Sequence, residues 1–159
     1  MTKKIAMFKD VSIKNGLVPL IEIGFKTAGT WELDGDGIGC NLNELASARN
    51  VLYAFAVDGE LMYVGKTVQS LRSRMTGYRN PGTTQSTNIK NNRNVRQSLV
   101  QGKTVEILVL PDNGLLHYGN FHVNLAAGLE DSIVRELNPP WNGGRKETTM
   151  QELQPTEAS

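Results

Sequence analysis

Between residues 51 and 64 apolar positions run almost without interruption. Val51-Leu-Tyr-Ala-Phe-Ala-Val57 is too short for a helix and rich in β-formers, which predicts a strand. Asp58-Gly59 is the dipeptide of a two-residue hairpin turn, and Leu61-Met-Tyr-Val64 predicts the returning strand. The period then changes. Leu71, Met75 and Tyr78 recur at helical spacing and predict a short helix, broken by Pro81-Gly82. Residues 83–94 are polar and predict a long loop. Asn94 to Val100 reads as a helix ended by Gly102, and Val105 to Leu110 as a third strand closed by Pro111. Residues 112–124 read as loop. Gly128 to Leu137 predicts a closing helix, stopped by Asn138-Pro-Pro-Trp-Asn142.

The first fifty residues are less regular. Val18 to Phe25 has strand character, and Leu33 to Gly39 is turn-rich. No strand–turn–helix unit surrounds those glycines, so they are no dinucleotide fingerprint. Asp34 and Asp36 lack the later ligands of a calcium loop. Asn43 to Arg49 predicts a short helix capped by Asn43. The expected fold is α+β: a small antiparallel three-stranded sheet flanked by helices. Residues 1–50 form an N-terminal arm, 51–142 the core with a basic insert at 79–98, and 143–159 a polar tail.

The 159 residues suit one domain with one core. No stretch approaches a membrane span, and the N-terminus lacks the apolar region of a signal peptide. Cys40 is alone, so no internal disulfide forms and a reducing, cytoplasmic setting is expected. His117 and His122 are five apart, which does not place a metal pair on one helix face; they read as solvated loop histidines.

Net charge is only +1, but it is segregated. From Lys66 to Lys103 there is no Asp or Glu, while Lys66, Arg72, Arg74, Arg79, Lys90, Arg93, Arg96 and Lys103 all fall there. The pattern implies an electropositive surface facing a polyanion, with a solvated basic face as the alternative. Asn, Gln, Ser and Thr fill the gaps, side chains that contact phosphates and base edges.

Gly65-Lys66-Thr67 has the ending of a phosphate-binding P-loop. The glycine that motif needs upstream is Glu60, and the residues between are apolar strand formers. No nucleotide cofactor is expected.

The hairpin turn lets Tyr53 and Tyr63 share a face. Arg74 follows on the next helix, Glu130 sits on the closing helix beside Val134 and Leu137, and Asn142 comes twelve residues later. With Val51-Leu-Tyr53 and Tyr63-Val-Gly65 as its two triplets, this order resembles the GIY-YIG nucleases over residues 51–142. Two departures stand out. Val51 replaces the leading glycine, and one extra residue separates Gly65 from Arg74.

The resemblance implies a divalent-metal-dependent endonuclease acting on double-stranded DNA, sequence-specific and of restriction or phage type. It implies Mg²⁺ (or Mn²⁺) held by Glu130 as the sole protein ligand, and Arg74 clamping a phosphate oxygen. It places the general base at Tyr53, with Lys66 and Arg74 favouring phenolate and Tyr63 able to exchange roles. Asn142 would hold the site together or touch phosphate. Arg72, Arg79, Lys90, Arg93, Arg96 and Lys103 are the expected DNA contacts. Double-strand breaks would need a homodimer or homotetramer, with residues 1–50 serving assembly or DNA contact. The alternative is a non-cleaving nucleic-acid-binding module on the same fold.

Overall fold

A computed structural model describes residues 16–143 apart from 113 and 115. The expected tail from 144 onward and residues 1–15 lie outside the described residues.

The central strand is β3 (Arg49–Val57), buried throughout from Val51 to Val57. Its alternation divides the run between two cores. Val51, Tyr53, Phe55 and Val57 face one core; Leu52, Ala54 and Ala56 face the other. A strand covered on both faces has no polar side, which is why it reads as an unbroken apolar run. It turns through Asp58 and Gly59, both at positive φ (49° and 81°), as a primed two-residue hairpin requires. The Asp58 carboxylate accepts from Thr104 N at 2.8 Å, and Thr104 O accepts from Asp58 N at 2.9 Å. The turn is thereby tied to the start of β5 (Val105–Leu110), the other partner of β3.

The returning strand β4 (Glu60–Ser70) carries a bulge. Ala56 pairs with Leu61 and Phe55 with Tyr63, so Met62 is an extra residue. Strict alternation would put Leu61 and Tyr63 on one face. The bulge instead sends Leu61 into one core and Tyr63 into the other, beside Tyr53 and Phe55.

The sheet has five strands, not three, ordered β2-β1-β5-β3-β4 and antiparallel throughout. The additional strands are β1 (Lys26–Asp34) and β2 (Gly37–Leu42), from the segment expected as an arm. Their pattern is hidden because the register shifts between Thr27 and Gly29. Ala28 and Trp31 are then the buried residues of β1, three positions apart rather than two or four. Gly29 is required there, since a Cβ would overlap the Asn41 carbonyl of β2.

Four further expectations change. Residues 17–22 are a helix, α1 (Leu17–Glu22), where a strand was expected. After α2 (Leu71–Arg79), the polar insert is mostly helix, α3 (Ser86–Val100). The buried positions of α3 are Asn88, Asn91 and Val95, and two asparagines on the inner stripe conceal its amphipathic period. The closing helix α4 (Leu125–Leu137) begins three residues early, with Asn124 Oδ1 accepting from Ala127 N. Within 112–124 a small hairpin forms, β6 (His117–Tyr118) with β7 (Phe121–His122), placing the two histidines opposite each other. Asn43 does cap a turn, a 3₁₀ one over Glu44–Ser47.

Helices α2 and α3 cover the Tyr53 face of the sheet, and α1 and α4 the other. Among the described residues no helix is long and apolar enough to cross a membrane.

Candidate active site

The site lies where β3 and the edge strand β4 meet α2. The rings of Tyr53 and Tyr63 have centroids 6.3 Å apart on one face, brought there by the bulge at Met62. A third phenol joins them. The Tyr78 hydroxyl is 2.7 Å from that of Tyr53, and Tyr78 is fully buried on α2. Arg74, one turn earlier on that helix, donates from Nη2 to the Tyr78 hydroxyl at 2.9 Å, with its guanidinium carbon 4.1 Å from the Tyr78 ring centroid.

These contacts have a direction. Arg74 has only donors, so the Tyr78 oxygen accepts from it, and the Tyr78 proton is free to be given to the Tyr53 oxygen. A polarised chain runs from cation to Tyr78 to Tyr53. Burial pushes the Tyr53 phenol well up, as does the neighbouring Tyr63, while Arg74 and the bond from Tyr78 pull it back. Burial also raises Tyr63, with Tyr78 and, more weakly, the Glu130 carboxylate adding to it. Tyr78 is raised by burial first and Tyr53 second. All three are therefore neutral phenols in the resting protein.

Gly65 explains the last letter of its triplet. A Cβ there would lie 2.6 Å from the Tyr53 hydroxyl and 3.0 Å from the Tyr63 ring. Only a residue without a side chain lets Tyr53 lie across β4.

Asn142 sits after Pro139-Pro140-Trp141 in a closing 3₁₀ turn. Its Nδ2 donates to Val64 O and its Oδ1 accepts from Val64 N, both at 2.9 Å. The side-chain amide imitates one rung of a ladder on the open edge of β4. Of the two expected roles, holding the site together is the one its atoms serve here, because both ends are spent on backbone.

Glu130 is half-buried on α4, with no hydrogen bond or ion pair among the described residues. Lys66 is exposed on β4. An open groove of about 630 Å³ crosses the edge strand here. It is lined by Lys66 to Gln69 from β4, by Arg74 and Gly77 from α2, and by the start of α4. Tyr53, Tyr63, Glu130 and Asn142 do not line it directly.

Some of the basic residues have partners within the protein. Arg79 pairs with Asp34 at 3.0 Å, and Arg96 Nε donates to Asp36 O at 2.7 Å. Both latch the β1–β2 turn onto α2 and α3. Lys90 reaches the Trp141 carbonyl at 3.4 Å, and Lys103 borders a small cleft beside the Asp58 turn. Arg72 and Arg93 are exposed.

Tyr78 was missed as a functional residue. Its helical spacing with Leu71 and Met75 reads as core packing. The available signal was Arg74 one turn before it, a cation beside a tyrosine on the inward face.

No family model matches the chain. It is 28% identical to Endonuclease II of Enterobacteria phage T4 over 116 residues, covering 70% of this chain and 84% of that protein. A solved structure of a glutamate-to-alanine variant of bacteriophage T4 EndoII superposes with a TM-score of 0.56 at 26% identity, over 84% of this chain and 96% of the other. A restriction endonuclease, HPY188I in complex with product DNA, gives a TM-score of 0.43 at 16% identity over 70% and 72% of the two chains. With both tyrosine triplets on one hairpin, and the helix arginine, the carboxylate helix and the closing asparagine in order, the likeness to Endonuclease II supports a nuclease of the GIY-YIG type.

Proposed function

We propose that this nuclease is a DNA endonuclease that hydrolyses phosphodiesters of the double helix with the help of a divalent cation, at chosen sequences. The observation that carries the reading is the hydrogen-bonded chain from Arg74 through Tyr78 to Tyr53, set beside a groove that also presents Lys66.

Glu130 fits the cation. Its carboxylate is half-exposed and has no partner among the described residues. Among the described residues no cluster of three or more Asp, Glu, His or Cys could hold a metal. A single carboxylate suits a small hard ion that keeps most of its water, Mg²⁺ or Mn²⁺. When bound, such an ion supplies charge for the phosphoryl and leaving oxygens.

The protein's own groups do the rest. Arg74 and Lys66 meet the scissile phosphate from the groove; the guanidinium is permanently charged and holds a non-bridging oxygen. Tyr53 takes a proton from the attacking water. Desolvation favours its neutral phenol, and the groups that favour the phenolate against it are Tyr78, by donating to its oxygen, and the Arg74 cation. Tyr63, packed beside Tyr53, can exchange that role. Asn142 positions β4. The polar face of α3, with Asn, Gln and Arg93, supports base reading, and Arg72 supports phosphate contact. One site cuts one strand, so a double-strand break calls for a homodimer or homotetramer.

Supercoiled plasmid incubated with Mg²⁺ or with EDTA, wild type beside Glu130→Ala, tests this. Nicked or linear product from wild type with metal alone is expected, while Glu130→Ala still shifts DNA on a gel. An uncut plasmid that is nevertheless shifted by wild type would replace the reading with a binding module. Equal cutting in EDTA would remove the metal.

A further inference from the structure

At the start of α2 the chain builds another cleft, of about 540 Å³, that shares no lining residue with the groove. Asn43, Ser47, Ser70, Arg49 and Arg72 line it. Arg49 opens β3 and pairs across the ladder with Ser70, two residues before Arg72. Among the described residues neither guanidinium has a side-chain hydrogen bond or an ion pair. That sets them apart from Arg79, which is paired with Asp34, and from Arg96, whose Nε is engaged by the Asp36 carbonyl. Glu44 borders the same cleft without pairing to either. Two unneutralised guanidiniums sharing one concave surface repel each other and raise the local positive potential. An anion with several oxygens relieves this, and small hydroxyl and amide groups stand ready as further donors.

We propose that Arg49 and Arg72 form a second phosphate site, holding the DNA backbone beyond the scissile bond. The inference rests on the groove being where DNA is cut. Lys66 and Ser70 are four strand residues apart, about 13 Å. At roughly 3.4 Å of axial rise per phosphate along one strand, the cleft meets the backbone about four nucleotides away. Arg49 had no place among the expected DNA contacts; the ladder brings it to Arg72.

The test is binding of a duplex of about two helical turns in EDTA, followed by fluorescence anisotropy over a range of salt. Each lost phosphate contact lowers the slope of log affinity against log salt by about 0.9. Arg49→Gln/Arg72→Gln is expected to lower it by about two and to weaken binding at low salt. Arg49→Lys/Arg72→Lys should keep the wild-type slope. A glutamine pair with unchanged slope overturns the site, and so does a lysine pair that loses it equally. Wild type that binds no DNA at all sinks the functional reading along with it.

Discussion

The hydroxyls of Tyr53 and Tyr78 lie 2.7 Å apart, and the second of them is held by Arg74. The arginine's charge acts on Tyr53 both directly and through another phenol. Tyr78→Phe should therefore spare the fold and damage the chemistry. Cleavage is expected to fall roughly ten- to a hundredfold, or about 1.4–2.8 kcal/mol of barrier. The rise of rate with pH should also move to higher pH, because Tyr53 loses a bond that favours its phenolate. A rate–pH profile of the variant checks this; an unshifted profile makes Tyr78 mere packing.

Gly65→Ala is a sharper lesion than its single methyl suggests. The new Cβ would fall on the Tyr53 hydroxyl, and β4 or the ring must move. Overpacking of this kind costs about 1–3 kcal/mol. A lowered melting temperature should accompany loss of cleavage, both measurable on one preparation.

Asn142 binds Val64 by a donor and an acceptor together. Asn142→Asp keeps the size and one acceptor but sets a carboxylate oxygen against the Val64 carbonyl. It should destabilise the closing turn by about 1–3 kcal/mol and speed hydrogen exchange at Val64. Unchanged exchange at that amide would show that the rung does not protect the edge.

Asp112 is pulled down in pKa by the Gly114 N–H first, and further by Leu125 N and by His122 beside it. Its folded value lies below the ordinary 3.8, so its contribution is complete above the unfolded value and is lost as pH falls through the folded one. Melting curves taken below pH ~4 should show wild type losing stability that Asp112→Asn has already lost. Parallel curves for the two proteins would remove Asp112 from the account.

Legibility followed periodicity. The β3–β4 hairpin was readable because its apolar run and its Asp-Gly turn are both local signals. The pairing of Tyr53 with Tyr63 was also expected, although the bulge at Met62 that produces it leaves no mark in the residues. β1 and β2 were not readable, because a register shift breaks the two-residue period around Ala28. α3 looked like loop because Asn88 and Asn91 stand where apolar residues would announce a helix. The local partners of two basic residues were hidden for a similar reason. Charge spacing along a chain does not reveal that Arg79 and Arg96 turn towards Asp34 and the Asp36 carbonyl.

The five-stranded sheet changes what can be cut away. β5 lies between β3 and β1, so the strand that would rim a three-stranded catalytic unit is interior here. A chain shortened to begin at residue 51 would bare the hydrogen-bonding edge of β5 and uncover the apolar surface that Trp31 and Ile38 now share with Phe55 and Ile107. An open edge beside an oily face invites strand pairing between molecules. Proteolysis that removes β1 and β2 should accordingly yield aggregate in place of a smaller working enzyme, and motif boundaries are poor guides for trimming this nuclease.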